Sequence, residues 1–215
     1  MKSLDRSETL LILPPRYMGS AGYYALVNAF DKVWVDTGMR FDKRQKETHR
    51  ATVADTHGIR RLTVPIEKPV SMTGARWSDI AVSTHGIWWH AHWETLKSGY
   101  GRTPFFEYYA DDFEPLFTVE STGIPLMELN RRLDSIIRRL MLIETDVAYG
   151  TDFDHDGPTI DLRRGVPAGI VTTVPYYQVR ALRHGFIPGL SAIDMLFNMG
   201  PESTLILPKM VLESV

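Results

Sequence analysis

Residues 9–13 form a short apolar run closed by Pro14-Pro15, the pattern of a buried strand that cannot extend further. From residue 22 to 30 the apolar positions Tyr23, Leu26, Val27 and Phe30 recur at helical spacing. Over residues 31–36, Val33 and Val35 then alternate with more polar neighbours, the period of a second strand. Strand, short helix and strand in that order predict a parallel β-α-β unit, and hence an α/β fold. After a basic segment, residues 51–54 and 61–66 flank the turn Asp55-Thr-His-Gly58, a hairpin expected to make the central sheet mixed. The pattern predicts helices over 87–100, 104–117 and 125–143. In the last, Leu126, Leu129, Leu133, Ile136, Ile137 and Leu140 form the inner face and Arg131, Arg132, Arg138 and Arg139 lie mostly outside it. Residues 152–168, polar with Gly and Pro, read as a surface loop.

Composition narrows the class. At 215 residues and 44% hydrophobic, the chain can bury one sizeable core, and a single domain over 1–215 is expected. It has no cysteine, which removes disulfide scaffolds, thiolate metal sites and cysteine nucleophiles and points to the cytoplasm. The N-terminal stretch is charged and no apolar run approaches the roughly 20 residues that span a bilayer, so neither a secretory signal nor membrane insertion is expected. A net charge of −2 gives no drive toward nucleic acid. The sequence names no cofactor and no oligomeric state.

Candidate chemistry is sparse. The cluster Lys43, Arg44, Lys46 and Arg50 follows a strand ending at Asp36, where loops of an α/β sheet line the ligand crevice, and arginine suits bidentate phosphate recognition. His90 and His92 lie at i and i+2 of a predicted helix, face apart, and predict no metal site; His92 is the candidate acid-base group. Asp152, Asp154, Asp156 and Gly157 imitate the first half of a calcium loop, but its twelfth position is Arg163 where a bidentate glutamate is needed. Neither a phosphate-cradling Gly-rich motif nor a Gly-x-Ser-x-Gly elbow is present. In the closing stretch from His184 to Ser203, Ser191 and Asp194 form a capping-box pattern and Gly200-Pro201 a stop signal, so a short helix is expected from 191 to 199.

That closing stretch resembles the C-terminal signature of the WbqC-like family, bacterial proteins often encoded among surface-polysaccharide genes. The ordered set Leu13-Pro-Pro15, Tyr24, Asp36, Lys43 and Arg50 resembles the family's opening, and Leu62-Thr-Val-Pro-Ile-Glu-Lys-Pro69 a later segment. Trp89, His92, Ser98, Tyr100 and Pro104-Phe-Phe-Glu-Tyr-Tyr109 look like its central aromatic block, and Pro175-Tyr-Tyr-Gln178 completes the pattern. The resemblance, over about residues 10 to 207, implies a Rossmann-like sheet with a nucleotidylyltransferase-like opening. It further implies an enzyme of glycan or glycan-precursor biosynthesis, a transferase acting on a nucleotide-linked or phosphorylated sugar. Lys43 and Arg50 would then hold phosphate, Trp89, Tyr100, Tyr177 and Gln178 would contact sugar or base, and His92 or Asp36 would move the proton. Longer members open with His-Gln-Pro-x-Phe-Leu-Pro-Trp, whereas this chain has Leu13-Pro-Pro-Arg-Tyr17 without that histidine or tryptophan. The alternative is therefore a non-catalytic binding or scaffold protein of a biosynthetic cluster. The two are separated by geometry: an enzyme requires Asp36, Lys43, Arg50, His92 and Tyr100 to converge on one cleft.

Overall fold

The computed structural model describes residues 6–69 and 71–212; the rest of the chain, including the first five residues of the charged N-terminal stretch, lies outside it. The predicted β-α-β unit is present: β1 (Leu10–Leu13), α1 (Ala21–Asn28) and β2 (Lys32–Asp36), with β1 and β2 adjacent and parallel. Next come the hairpin β3 (Arg50–Asp55) and β4 (Gly58–Thr63), and a small pair β5 (Ile66–Glu67) and β6 (Ala81–Val82). The helices α2 (Trp88–Tyr100), α3 (Phe106–Phe113) and α4 (Leu126–Leu140) occupy the three predicted helical stretches. The strands β7 (Asp146–Gly150) and β8 (Thr159–Asp161) precede α5 (Ala181–His184), α6 (Ala192–Met199) and α7 (Leu207–Met210).

β7 and β8 complete the central sheet from its two edges. All four strands are parallel, in the spatial order β7-β2-β1-β8. Counted along the chain, that is third, second, first, fourth: half of a doubly wound sheet, whose order reverses between β1 and β8. The register puts Leu11, Val33, Val147 and Ile160 in one row. Leu11 and Val33 belong to the same buried cluster as Leu26 of α1, Leu133 and Ile137 of α4, and Ile193 and Phe197 of α6. On the opposite face Trp34 meets the ring of Phe153, 5.8 Å away, on the segment that leads from β7 to β8 without a helix.

Two expectations change here. The sheet is not mixed, because among the described residues the hairpin pairs only with itself. The outer edge of β3 is already occupied: the Thr52 carbonyl accepts from the Ser191 N–H at 2.7 Å, and the Ala54 N–H donates to the Tyr100 hydroxyl at 2.9 Å. With those groups satisfied, no further strand can pair along that edge. Residues 152–168 are also not loop throughout, since Thr159–Asp161 is the fourth strand.

α6 forms as patterned, with the Ser191 hydroxyl accepting from the Ile193 N–H and Gly200 ending the helix at φ 54°. The capping box is only half made. The Ser191 N–H goes to β3, so the Asp194 carboxylate turns inward to other donors.

α2 packs so closely on the hairpin that a Cβ on Gly99 would lie 2.6 Å from the Ala54 carbonyl oxygen. Helix propensity favours alanine over glycine by about 1 kcal/mol. The clash is with backbone and outweighs that gain, so Gly99→Ala is expected to destabilise by about 1–2 kcal/mol net, read as a lower urea midpoint.

Among the described residues, no helix is long and apolar enough to cross a membrane.

Candidate functional site

Strands in this arrangement end in loops on one side of the sheet, and ligands of open α/β folds lie there, outside the carboxyl ends and at the point where strand order reverses. A crevice of about 1360 Å³ occupies that place. Its wall takes Arg16 after β1, residues 39–42, 44, 45 and 47 after β2, and Arg163 and Arg164 after β8. Five arginines (Arg16, Arg40, Arg44, Arg163 and Arg164) face three carboxylates (Asp42, Glu47 and Asp161), leaving two positive charges in excess.

The ion pairs show which of these cations are held in place and which are free. Arg163 donates through Nη1 to Asp36 Oδ2 at 2.6 Å, and through Nε and Nη2 to the two oxygens of Asp161 at 3.0 and 2.7 Å. Asp36 is 4% exposed and accepts from the Gly38 N–H as well, so Arg163 ties the end of β2 to the end of β8 across β1. Arg163 lowers the pKa of the Asp161 carboxylate, chiefly by donating to it. Arg44 is paired with Asp42 and Arg16 with Glu47. Arg40 and Arg164 are exposed and have no salt-bridge partner among the described residues. They are the cations open to a phosphate.

In doubly wound folds the phosphate often rests on the N-terminus of the first helix. Here that position is filled by the chain itself. The Ala21 N–H donates to the Leu190 carbonyl at 3.1 Å and the Ala192 N–H to the Gly19 carbonyl at 2.8 Å. The Ser191 hydroxyl donates to the Met18 carbonyl at 2.7 Å, and the Tyr23 N–H is capped by Ser20. The closing stretch therefore seals the first turn, and the positive charge of the crevice comes from its arginine side chains.

The residues singled out by sequence do not converge. Asp36 reaches the crevice through Arg163, and Lys43 is exposed beside the wall residues Asp42 and Arg44 without lining the crevice itself. Arg50 donates to the Thr63 hydroxyl on the hairpin at 2.9 Å, outside the crevice wall. Trp89 is half-buried beside His90, and Tyr177 is 56% exposed.

His92 is buried, its Nδ1 2.9 Å from the Tyr17 hydroxyl. Burial lowers its pKa to about 4, against the raising effect of a hydrogen bond to the Thr63 backbone. His92 does not line the crevice.

Tyr100 and Gln178 meet at a second place, around Asp194. This carboxylate is 1% exposed and accepts from the Tyr176 hydroxyl at 2.7 Å and from Gln178 Nε2 at 3.0 Å, with Tyr100 also donating. Burial raises its pKa, opposed by those three donors. Gln178 also exchanges two hydrogen bonds with the Ile187 backbone, closing the loop between them. The adjoining space is about 10 Å³, room for one water and not for a sugar. This cluster is a structural tie between α2, α6 and residues 176–187.

Comparison with known proteins decides the lineage. The WbqC-like protein family model matches residues 15–166. The chain belongs to the WbqC-like family. It is also 25% identical over 221 residues to the uncharacterized protein Rv1507c of Mycobacterium tuberculosis, across 89% of this chain and 94% of that protein. No solved structure matches. Every residue lining the crevice, from Arg16 to Gly165, falls inside the WbqC-like range, while Asp194, its partners Tyr176 and Gln178, and the closing stretch fall outside it. Sequence reading had placed much of the family's signal in that closing stretch.

Sequence reading found the basic segment after β2 but not Arg16, Arg163 or Arg164. A signal was present in the Asp161-Leu-Arg-Arg164 run, had 159–161 been recognised as a strand, since the arginines would then leave its carboxyl end.

Proposed function

We propose that this chain binds a phosphorylated or nucleotide-linked sugar in the arginine-lined crevice, as a cytoplasmic protein of surface-glycan biosynthesis built as one domain over residues 1–215. One observation carries the reading: unpaired and paired arginines from three separate loops meet at the carboxyl ends of β1, β2 and β8. Loops at that position are where the fold offers a site, and arginine forks match phosphate oxygens. Membership of the WbqC-like family supports the glycan context. Of the residues chosen from sequence, Asp36 serves this site as the anchor of Arg163, and Lys43 adds positive charge next to its wall.

Binding is the primary activity in this reading. Transfer of a phosphate-bearing group is a second one, favoured by the charge of the crevice: such reactions depend on positioning and on stabilising anionic oxygens, which arginines supply without a buried histidine. A thermal-shift screen against nucleotide sugars, nucleoside diphosphates and sugar phosphates tests the binding. A ligand at 100 times its Kd should stabilise the fold by about 2.7 kcal/mol, which for a chain of this size is a rise of about 5–10 °C. No shift with any phosphate-bearing compound would remove the reading.

A further inference from the structure

The wall of the crevice that follows β2 carries a group whose orientation is fixed from behind. Trp77 is 1% exposed, and its indole N–H, which can only donate, is 2.9 Å from Gln45 Oε1. That bond settles which way the amide points. The two N–H groups of Gln45 Nε2 then face elsewhere, have no partner among the described residues, and belong to a side chain lining the crevice. Phe41 lies against the same indole, edge to face with centroids 4.7 Å apart, and also lines the crevice. Its backbone N–H is held by the Ala75 carbonyl at 2.8 Å, which fixes the strip of chain bearing the ring. An aromatic wall and a fixed pair of donors thus stand together on one buried tryptophan.

The groups around them offer donors and few acceptors. Gln45 Oε1 is occupied, and Asp42, Glu47 and Asp161 are each paired with an arginine. A pyrimidine that stacks on Phe41 with its 4-position toward Gln45 Nε2 is satisfied there when that position is a carbonyl. An amino group at that position would meet another donor and leave its own N–H groups unpaired, which is costly in a partly desolvated site.

We propose that Phe41 and Gln45 form a base subsite that selects uracil or thymine nucleoside diphosphates over those with an amino-bearing base. This rests on the reading of the crevice as a phosphate site and names its ligand class.

Uridine diphosphate and cytidine diphosphate carry the same phosphates and differ at the carbonyl and amino positions of the ring. Titrating each, together with inorganic pyrophosphate, into the wild-type chain and into Gln45→Glu isolates the subsite. The glutamate keeps an oxygen for Trp77 and turns the second group from donor to acceptor. Its added charge acts equally on both nucleotides, so the ratio of their affinities is the readout. The wild type should bind uridine diphosphate about tenfold more tightly than cytidine diphosphate, the effect of one lost hydrogen bond. In Gln45→Glu that ratio should fall to one or invert. Equal affinities in the wild type would overturn the base subsite and leave the phosphate site standing. A uridine preference that survives Gln45→Glu would overturn the role of Gln45. Failure of both nucleotides and pyrophosphate to bind would overturn the phosphate site itself.

Discussion

Acidification from pH 6.5 to pH 4 is expected to cost the fold about 3 kcal/mol through His92 alone. In the unfolded chain this imidazole titrates near its ordinary 6.5, whereas in the folded chain burial lowers the value to about 4. Between the two values the unfolded state binds the proton and the folded state does not, so stability is full above pH 6.5 and falls as the pH drops toward 4. The reason is geometric. Nδ1 faces the Tyr17 hydroxyl, the Thr63 backbone accepts on the other side, and a charged ring there would be deprived of water without gaining a carboxylate. Urea midpoints measured from pH 7 to pH 4 on the wild type and on His92→Gln would check it, with the variant losing most of the slope. His49 contributes with the same sign and Asp194 with the opposite one. Because both are present in the two proteins, the difference between the curves isolates His92. Parallel curves would show that this histidine is solvated.

Replacing Arg163 should produce the other large effect. The Asp36 side chain is 6% exposed and its partner 33% exposed, so Arg163→Ala leaves a nearly buried carboxylate without its cation. Removing one member of a buried pair costs about 3–5 kcal/mol, and the partial exposure of the arginine brings the expectation down to about 2–3 kcal/mol. Asp36→Asn in the Arg163→Ala background should recover most of that loss, because the stranded charge is gone. Arg163→Lys should recover only part, since an ammonium cannot serve Asp36 and both oxygens of Asp161 together. Chemical denaturation of the wild type and these three variants reads all three effects. A single variant as stable as the wild type would mean that the pair is screened by solvent and does not fix the end of β2 to β8.

The legible half of this fold is the half specified by local pattern. Thr9 to Asp36 announced a β-α-β unit because strand, helix and strand each carried their own period, and α4 announced itself through a repeated apolar face. β8 was hidden because three residues, Thr159, Ile160 and Asp161, hold no period, and their strand character comes wholly from pairing with β1. The place of the hairpin was hidden for a similar reason. Nothing local to residues 50–63 says that Ser191 and Tyr100 will take the outer edge of β3.

The site followed the same division. Lys43 and its neighbours were visible as a charge cluster after a strand. Arg16 and Arg163, which join them only through the sheet, required the topology. His92 and Tyr100 stood out on an aromatic, polar-edged helix, a pattern that looks alike whether the edge meets a ligand or another part of the core. Here Tyr100 meets β3 and Asp194, and His92 meets Tyr17.

The central claim is that the crevice binds phosphate through its free arginines. Calorimetric titration of inorganic pyrophosphate into the wild type and into the Arg40→Ala, Arg164→Ala double variant tests it most directly. Both side chains are exposed and without salt-bridge partners among the described residues, so the variant should unfold at the wild-type midpoint. Two lost charge-assisted hydrogen bonds should weaken binding by about 100-fold or more. Equal affinity in the two proteins, or no binding by the wild type, would contradict the account.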